Sequence, residues 1–380
     1  MKRLLAFGLL VITLTTLISP TYAFPGGRDD EKCDELVAQS LAALEAGQEI
    51  GDINCLTAPG LSAIELRAAN AAMQTYAPPV QQVAIQDDIL FQRRYRRIVG
   101  DVLVYDAPGG NVVQSITKGY NFVSIRQVTD GWVQMSNGQW VSSEHVQDAQ
   151  VSALSGIEIT GDLTYPVAWM VRTARPSSFP GGPEDTNLDR IQQYTLLTIY
   201  ATEVVDGWEW YLVGPGLWLQ QTRVAKLKPV QRPADVGPTE LWVAIDLFEQ
   251  TAVAYEGDRM VFATLISSGL PQWSTNEGLF KMGVRAVSTP MTGASGQADF
   301  YFIENVPWVM YFDNDIALHG TYWHDAFGYR QSHGCVNLSI MDSWWIYRWS
   351  EKAPNGAAWV YVYSSGEYRN DLPAWARRSR

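Results

Sequence analysis

The chain reads as a mainly-β, multidomain protein: two small barrels, then a larger β-rich unit with one or two short helices, behind a short helical N-terminal segment. Three observations predict this. Its 380 residues exceed one ordinary domain. From about Arg96 onward, short apolar runs alternate with Gly, Asn and Asp turns. The load of 15 Trp and 18 Tyr suits strands better than helices. Apolar residues make up 47 % and charged residues 18 %, which excludes disorder over most of the length.

At the N-terminus, Lys2 and Arg3 precede an apolar stretch from Leu4 to Ile18, then Ser19, Pro20 and the small-residue site Thr21-Tyr22-Ala23. This is the layout of a secretory signal over residues 1–23. The stretch is shorter than the ~20 residues of a spanning helix, so a membrane partner is expected only if the signal stays uncleaved. Export follows, to the cell wall or periplasm or to the extracellular space. A formal charge of −12, with no basic run beyond Arg377, Arg378 and Arg380, argues against nucleic acid as a partner. Residues 24–79 hold a helical segment and linker. Leu36, Val37, Ser40, Leu41 and Leu44, then Ile64, Leu66, Ala69 and Met73, recur at helical spacing, and Tyr76-Ala77-Pro78-Pro79 breaks the pattern. Three cysteines in an exported chain leave one over. Cys33 and Cys55 lie close enough in sequence to pair as a disulfide, and Cys335 is then a free thiol in an oxidising compartment.

The first barrel is expected over residues 95–150. Its strands are Val102 to Tyr105, Val112 to Ile116, Tyr120 to Ile125, Trp132 to Met135 and Trp140-Val141. The pattern Asp130-Gly131-Trp132 followed by Gly138-Gln139-Trp140-Val141 recurs as Asp206-Gly207-Trp208 followed by Gly216-Leu217-Trp218-Leu219. A second barrel is therefore expected over 163–230, with a longer loop from Pro176 to Asp189. Both resemble bacterial SH3-like modules, which implies either wall-peptide binding or a spacer role. A proline-marked linker leads into a β-rich unit at 239–363, and residues 364–380 form a tail. Strands are expected at Leu241 to Leu247, Thr251 to Tyr255, Met260 to Ser267, Phe280 to Met282, Phe300 to Glu304, Val309 to Phe312 and Ile316 to Leu318. Met341 to Trp349 reads as a helix with Trp345 and Trp349 on one face.

The chain has four histidines, and His319, His324 and His333 share one short stretch with Cys335. A thiol near its reference pKa of about 8.5 needs a base or a positive field to attack carbonyl carbon at neutral pH. His319 ends an expected strand and is followed by the bend at Gly320, a good platform for that base. The run Ser332-His333-Gly334-Cys335 offers successive N–H groups in a tight turn, the form of an oxyanion site. His333 serves equally well as a structural brace, His324 reads as a rim or structural residue, and His145 as a surface residue.

The string Ser332-His333-Gly334-Cys335-Val336-Asn337-Leu338, with His319-Gly320-Thr321 beginning 16 residues before the cysteine, resembles the signature of L,D-transpeptidases (the YkuD-like catalytic domain). Leu241 to Tyr255 resembles the family's opening hairpin. Ser267-Ser268-Gly269 and Thr275-Asn276-Glu277-Gly278-Leu279-Phe280 resemble its S-T-G and T-P-T-G-x-F segments, with Asn276-Glu277 replacing Pro-Thr. Asn337 stands where many members carry Arg. The resemblance implies a cysteine acyltransferase of peptidoglycan that needs no cofactor. Cys335 would be the nucleophile and His319 the general base and acid, oriented by the Gly320 carbonyl. His333, Gly334 and Cys335 N–H groups would form the oxyanion hole, and Tyr322, Trp323, Ser332 and Asn337 would shape the substrate pocket. A stem tetrapeptide would release D-Ala and be joined to an amine in a 3→3 cross-link or to another acceptor. Carbapenem-type inhibitors are expected to bind.

Three other readings stand beside this one. His319, His324, His333 and Cys335 could ligate zinc, although H-x₄-H-x₈-H-x-C is not a common zinc spacing. The same Cys–His pair could act as an L,D-carboxypeptidase. The chain could also be a non-catalytic wall-binding protein.

Overall fold

A computed structural model describes residues 61–293 and 300–366. The expected signal at 1–23, the Cys33–Cys55 pair, the first N-terminal helix and the tail past residue 366 lie outside the described residues. Among the described residues, no helix is long and apolar enough to cross a membrane.

Helix α1 (Ala63–Thr75) begins at a capping box: the Glu65 N–H donates to Ser62 Oγ (3.3 Å) and the Ser62 N–H to the Glu65 carboxylate (2.9 Å). Past the prolines the chain forms strand β1 (Val80–Gln82), where no element was expected, and then a single turn, α2 (Asp87–Leu90).

The first module has seven strands: β2 (Arg94–Ile98), β3 (Val102–Tyr105), β4 (Val112–Ile116), β5 (Tyr120–Thr129), β6 (Trp132–Met135), β7 (Trp140–Ser142) and β8 (Val146–Asp148). They pair antiparallel in the order β8-β2-β5-β6-β7-β3-β4 around a core of Ile98, Val102, Val104, Val123, Ile125, Val133, Met135 and Val141. The five expected strands are present, with β2 and β8 added. His145 is half-buried against the Val99 carbonyl (Nδ1 to O 3.2 Å), less superficial than expected.

After β9 (Ile157–Ile159), the second module contains β10 (Val167–Met170), β11 (Leu196–Thr198), β12 (Ala201–Val205), β13 (Trp208–Gly214), β14 (Leu217–Gln220) and β15 (Val224–Lys226). These form two three-stranded sheets, β11-β10-β15 and β12-β13-β14. Its Asp-Gly-Trp motif makes a two-residue hairpin turn. Val205 pairs with Trp208, and Asp206 (φ 53°) and Gly207 (φ 75°) both take left-handed conformations.

The third unit comprises β16 (Leu241–Asp246), β17 (Thr251–Glu256), β18 (Arg259–Leu265), β19 (Gly278–Lys281), β20 (Arg285–Gly293), β21 (Tyr301–Asp313), β22 (Ile316–Gly320), β23 (Val336–Leu338), α3 (Ile340–Ser350) and β24 (Trp359–Tyr363). The seven-stranded sheet runs β1-β9-β18-β17-β16-β24-β19, so two short strands from before residue 163 complete its edge. Both of its faces are buried, as the near-continuous apolar run of β16 requires. Val243 and Ile245 join Phe262, Leu318, Val336 and Ile346 in one core. Trp242 and Ala244 join Trp169, Ala225 and Leu227 of the second module in the other.

The segments expected as separate strands at 300–304 and 309–312 are one strand, β21. The first module joins it directly, because β5 pairs in parallel with β21 (Tyr120↔Tyr301, Asn121↔Phe302, Phe122↔Ile303). One eleven-stranded sheet therefore runs from the first module to β22 and β23.

Candidate active site

Strands β22 and β23 lie in parallel register, with Leu318 opposite Val336 and His319 opposite Asn337. Side chains alternate along a strand, so His319 and Asn337 share a face, and Cys335, two residues before Asn337, lines the same cleft. That cleft encloses about 750 Å³.

The cysteine loop is braced from the segment after β18. Ser267 and Asn337 exchange N–H donations (2.9 Å each way), and the Gln331 and Ser332 N–H groups donate to the Ser268 carbonyl (3.0 and 3.1 Å). Thr275 Oγ1 donates to the Gly334 carbonyl (2.7 Å) and accepts from the Gly269 N–H (3.0 Å). A side chain at Gly269 would meet the Trp273 carbonyl at 2.0 Å, so this close approach requires glycine. Gly334 (φ 123°) lies in the region side chains avoid and turns the chain into Cys335. The His333 ring is exposed and packs on Trp273, with ring centres 3.9 Å apart.

His319 is buried, and its Nδ1 meets the Gly320 carbonyl at 3.2 Å. A donating Nδ1–H there leaves the Nε2 lone pair as the basic site. Burial pulls its pKa down to about 4, against the opposing pull of the Gly320 carbonyl. Cys335 is half-buried, and its thiol faces the Asp315 carbonyl (3.7 Å). Burial pushes the thiol up to about 11; the Ala317 N–H opposes this and the Asp315 charge adds to it. At neutral pH both groups are uncharged, and a base and a thiol stand in one cleft without a preformed ion pair.

The family model for the L,D-transpeptidase catalytic domain (YkuD) matches residues 240–362. That stretch is an L,D-transpeptidase catalytic domain. Solved structures similar to the chain include an L,D-transpeptidase from Stackebrandtia nassauensis, at 25 % identity over 35 % of this chain and 60 % of that one (TM-score 0.27). Another is L,D-transpeptidase 1 of Mycobacterium tuberculosis, at 17 % identity over 33 % and 62 % (TM-score 0.27). A third is the catalytic domain of the E. faecium enzyme, at 22 % over 33 % and 98 % (TM-score 0.28). The chain spans about three fifths of the length of the first two. No curated protein sequence matches it.

Of the residues expected to shape the transpeptidase pocket, Trp323, Ser332 and Asn337 line the cleft. Tyr322 does not. It is fully buried, stacks on Tyr95 of the first module (3.8 Å between centres, 17°) and donates its hydroxyl to the Glu304 carbonyl. Asn337 serves His324, whose Nε2 lies 2.9 Å from the Asn337 amide nitrogen, while the Ala326 N–H donates to His324 Nδ1 (3.3 Å). Buried in this way, His324 falls to about 3. Among the described residues no group of three or more His, Cys, Asp and Glu is placed to hold a metal ion. The Gly334 N–H, expected in the oxyanion hole, already donates to Ser332 Oγ (3.1 Å).

Sequence reasoning missed the opposite wall of the cleft, which is built by Arg97, Lys118, Gly119 and Tyr120 of the first module. No local motif announces them, since only the β5–β21 pairing brings them there. Asp315 was also missed, although it lies immediately before a strand whose end was singled out.

Proposed function

We propose that the chain is a cysteine L,D-transpeptidase of the bacterial envelope, acting on peptidoglycan stem tetrapeptides through a thioester. The observation that carries this is the placing of His319, on β22, and Cys335, immediately before the parallel strand β23, in one cleft of a domain of that family. In the proposed reaction the thiol leaves the Asp315 carbonyl and attacks the carbonyl between the third stem residue and D-Ala, giving its proton to His319 Nε2. The neutral imidazole is ready to accept it, because its low pKa keeps it unprotonated at pH 7. The tetrahedral oxyanion is received by the Cys335 N–H, and by that of Gly334 only when Ser332 Oγ releases it. The C–N bond then breaks, His319 returns the proton to the leaving amine, and D-Ala departs. An acceptor amine attacks the thioester, giving a 3→3 cross-link or a new attachment and restoring the thiol. Export through the N-terminal signal would place the enzyme where its substrate is.

Intact-mass spectrometry of the chain with a carbapenem tests this. The parent should gain one stoichiometric adduct and Cys335→Ala none. A folded parent that stays unmodified would refute an activated acyl-accepting cysteine. Product analysis with a disaccharide-tetrapeptide then separates transfer to an amine from transfer to water.

A further inference from the structure

The cleft that holds Cys335 has walls from two parts of the chain. Cys335, His319, Ser332 and Asn337 form one wall, and Arg97, Lys118, Gly119 and Tyr120 of the first module form another. The two are joined directly: Tyr120 pairs with Tyr301 in the β5–β21 ladder, and its hydroxyl donates to the Trp323 carbonyl (3.4 Å). Arg97 is exposed on β2, with its guanidinium carbon 6.0 Å from the ring centre of Tyr120 and 5.9 Å from that of Phe122. Lys118 is also exposed; its backbone N–H donates to the Asp101 carboxylate (2.7 Å). Among the described residues neither cationic side chain forms an ion pair. Two unpaired cations thus face one cleft in a chain of net charge −12. The one carboxylate lining the cleft among the described residues is Asp315, which belongs to the cysteine side. The nucleophile strand itself offers a neutral amide at Asn337.

A tetrapeptide donor ends in a carboxylate and carries others along its stem. We infer that Arg97 and Lys118 bind a carboxylate of the donor stem, so that the first module supplies the anion-recognising wall of the active site. This inference rests on the transpeptidase reading. Arg97 suits the role because a planar guanidinium held against aromatic rings can offer a fork of N–H donors to carboxylate.

The test is steady-state kinetics of the parent and of Arg97→Gln/Lys118→Gln on three donors. These are the free tetrapeptide, its C-terminal amide, and a stem with its internal carboxylates amidated. The double variant should lose about tenfold in kcat/KM on the free tetrapeptide, mainly through KM. Amidating the recognised carboxylate should cost the parent a similar factor and the variant little more. The amide that shows this identifies which carboxylate is bound. The charge-keeping variant Arg97→Lys/Lys118→Arg should retain most of the discrimination, which controls for misfolding. Added salt should raise KM for the parent more than for the Gln variant. If the Gln variant loses the same factor on all three donors, or none on any, the inference is overturned while the transpeptidase reading stands. A parent that turns over none of them overturns both.

Discussion

Burial acts on His319 and Cys335 in opposite directions, and both directions keep the pair uncharged at neutral pH. With the imidazole at about 4 and the thiol at about 11, the proposed attack would move the proton during the step and not before it. The sign of the pH dependence follows. A lowered histidine pKa means that Nε2 is blocked by a proton only in acid. Carbapenem acylation should therefore hold level from neutral pH downward and fall as pH drops through about 4, well below the ordinary histidine value of 6.5. A rate profile with its acid limb near 6.5, or one that climbs tenfold per pH unit from 6 to 9 as a thiolate pathway would, contradicts the neutral pair. The same burial bears on stability. The folded pKa values of His319 and His324 both lie below the unfolded value, so the unfolded chain takes up protons first. The stability associated with keeping these rings neutral is complete above about 6.5 and is lost as pH falls from there through about 4 for His319 and about 3 for His324.

Helix α3 shows how the elements around the site are tied together. Ser339 caps it, accepting from the Asp342 N–H (3.0 Å). The buried Asp342 carboxylate accepts from the Gly156 N–H (2.6 Å), just before β9, and from Thr264 Oγ1 (2.6 Å) on β18. Burial raises this carboxyl to about 6, so its contribution is greatest below the ordinary 3.8 and weakens as pH rises through about 6, opposite to the histidines. Asp342→Ala should cost about 2–4 kcal/mol in urea unfolding by orphaning two buried donors, and Asp342→Asn roughly half of that. An alanine variant within about 0.5 kcal/mol of the parent would remove the brace from the account. None of this was legible, because Gly156 and Asp342 are 186 residues apart. The helix itself was legible, as were the strands with strong alternation. The three-residue strands β1, β8 and β9 are too short to show a period. Prolines hid two more elements: Pro290 sits where the β20–β21 register shifts between Thr289 and Met291, and Pro307 made β21 look like two strands. The Cys–His pair could be found because His319-Gly320 and Ser332-His333-Gly334-Cys335 lie within one short contiguous stretch. The wall opposite it comes from about two hundred residues earlier and has no such local signal.

For the whole molecule the question is whether the modules before the catalytic domain are spacers. A spacer keeps its own core and meets its neighbour across a polar joint. Here the first module shares a ladder with β21, and Tyr95, Phe122, Ile303, Val306, Tyr322 and Trp323 form one buried cluster across the joint. The joint is also polar where it has to be. The Glu304 carboxylate accepts from the Ser124 N–H (2.9 Å) and from Ser136 Oγ, and Asn305 Nδ2 donates to Ser124 Oγ (2.7 Å). The second module closes the other face of the seven-stranded sheet through Trp169, Ala225 and Leu227. Units coupled through shared cores unfold together, whereas independent domains melt separately. Tyr95→Ala provides the test, because Tyr95 lies in the first module while the ring it stacks on, Tyr322, is three residues from His319. Removing it should cost about 3–5 kcal/mol as a core aromatic truncation. In the coupled molecule that loss lowers the thermal midpoint of global unfolding and the midpoint at which Cys335 stops being acylated, by the same amount. If the acylation midpoint stays at the parent's value while part of the circular dichroism signal melts early, the first module folds on its own account. The catalytic cleft would then not depend on its wall of Arg97, Lys118 and Tyr120 for its fold.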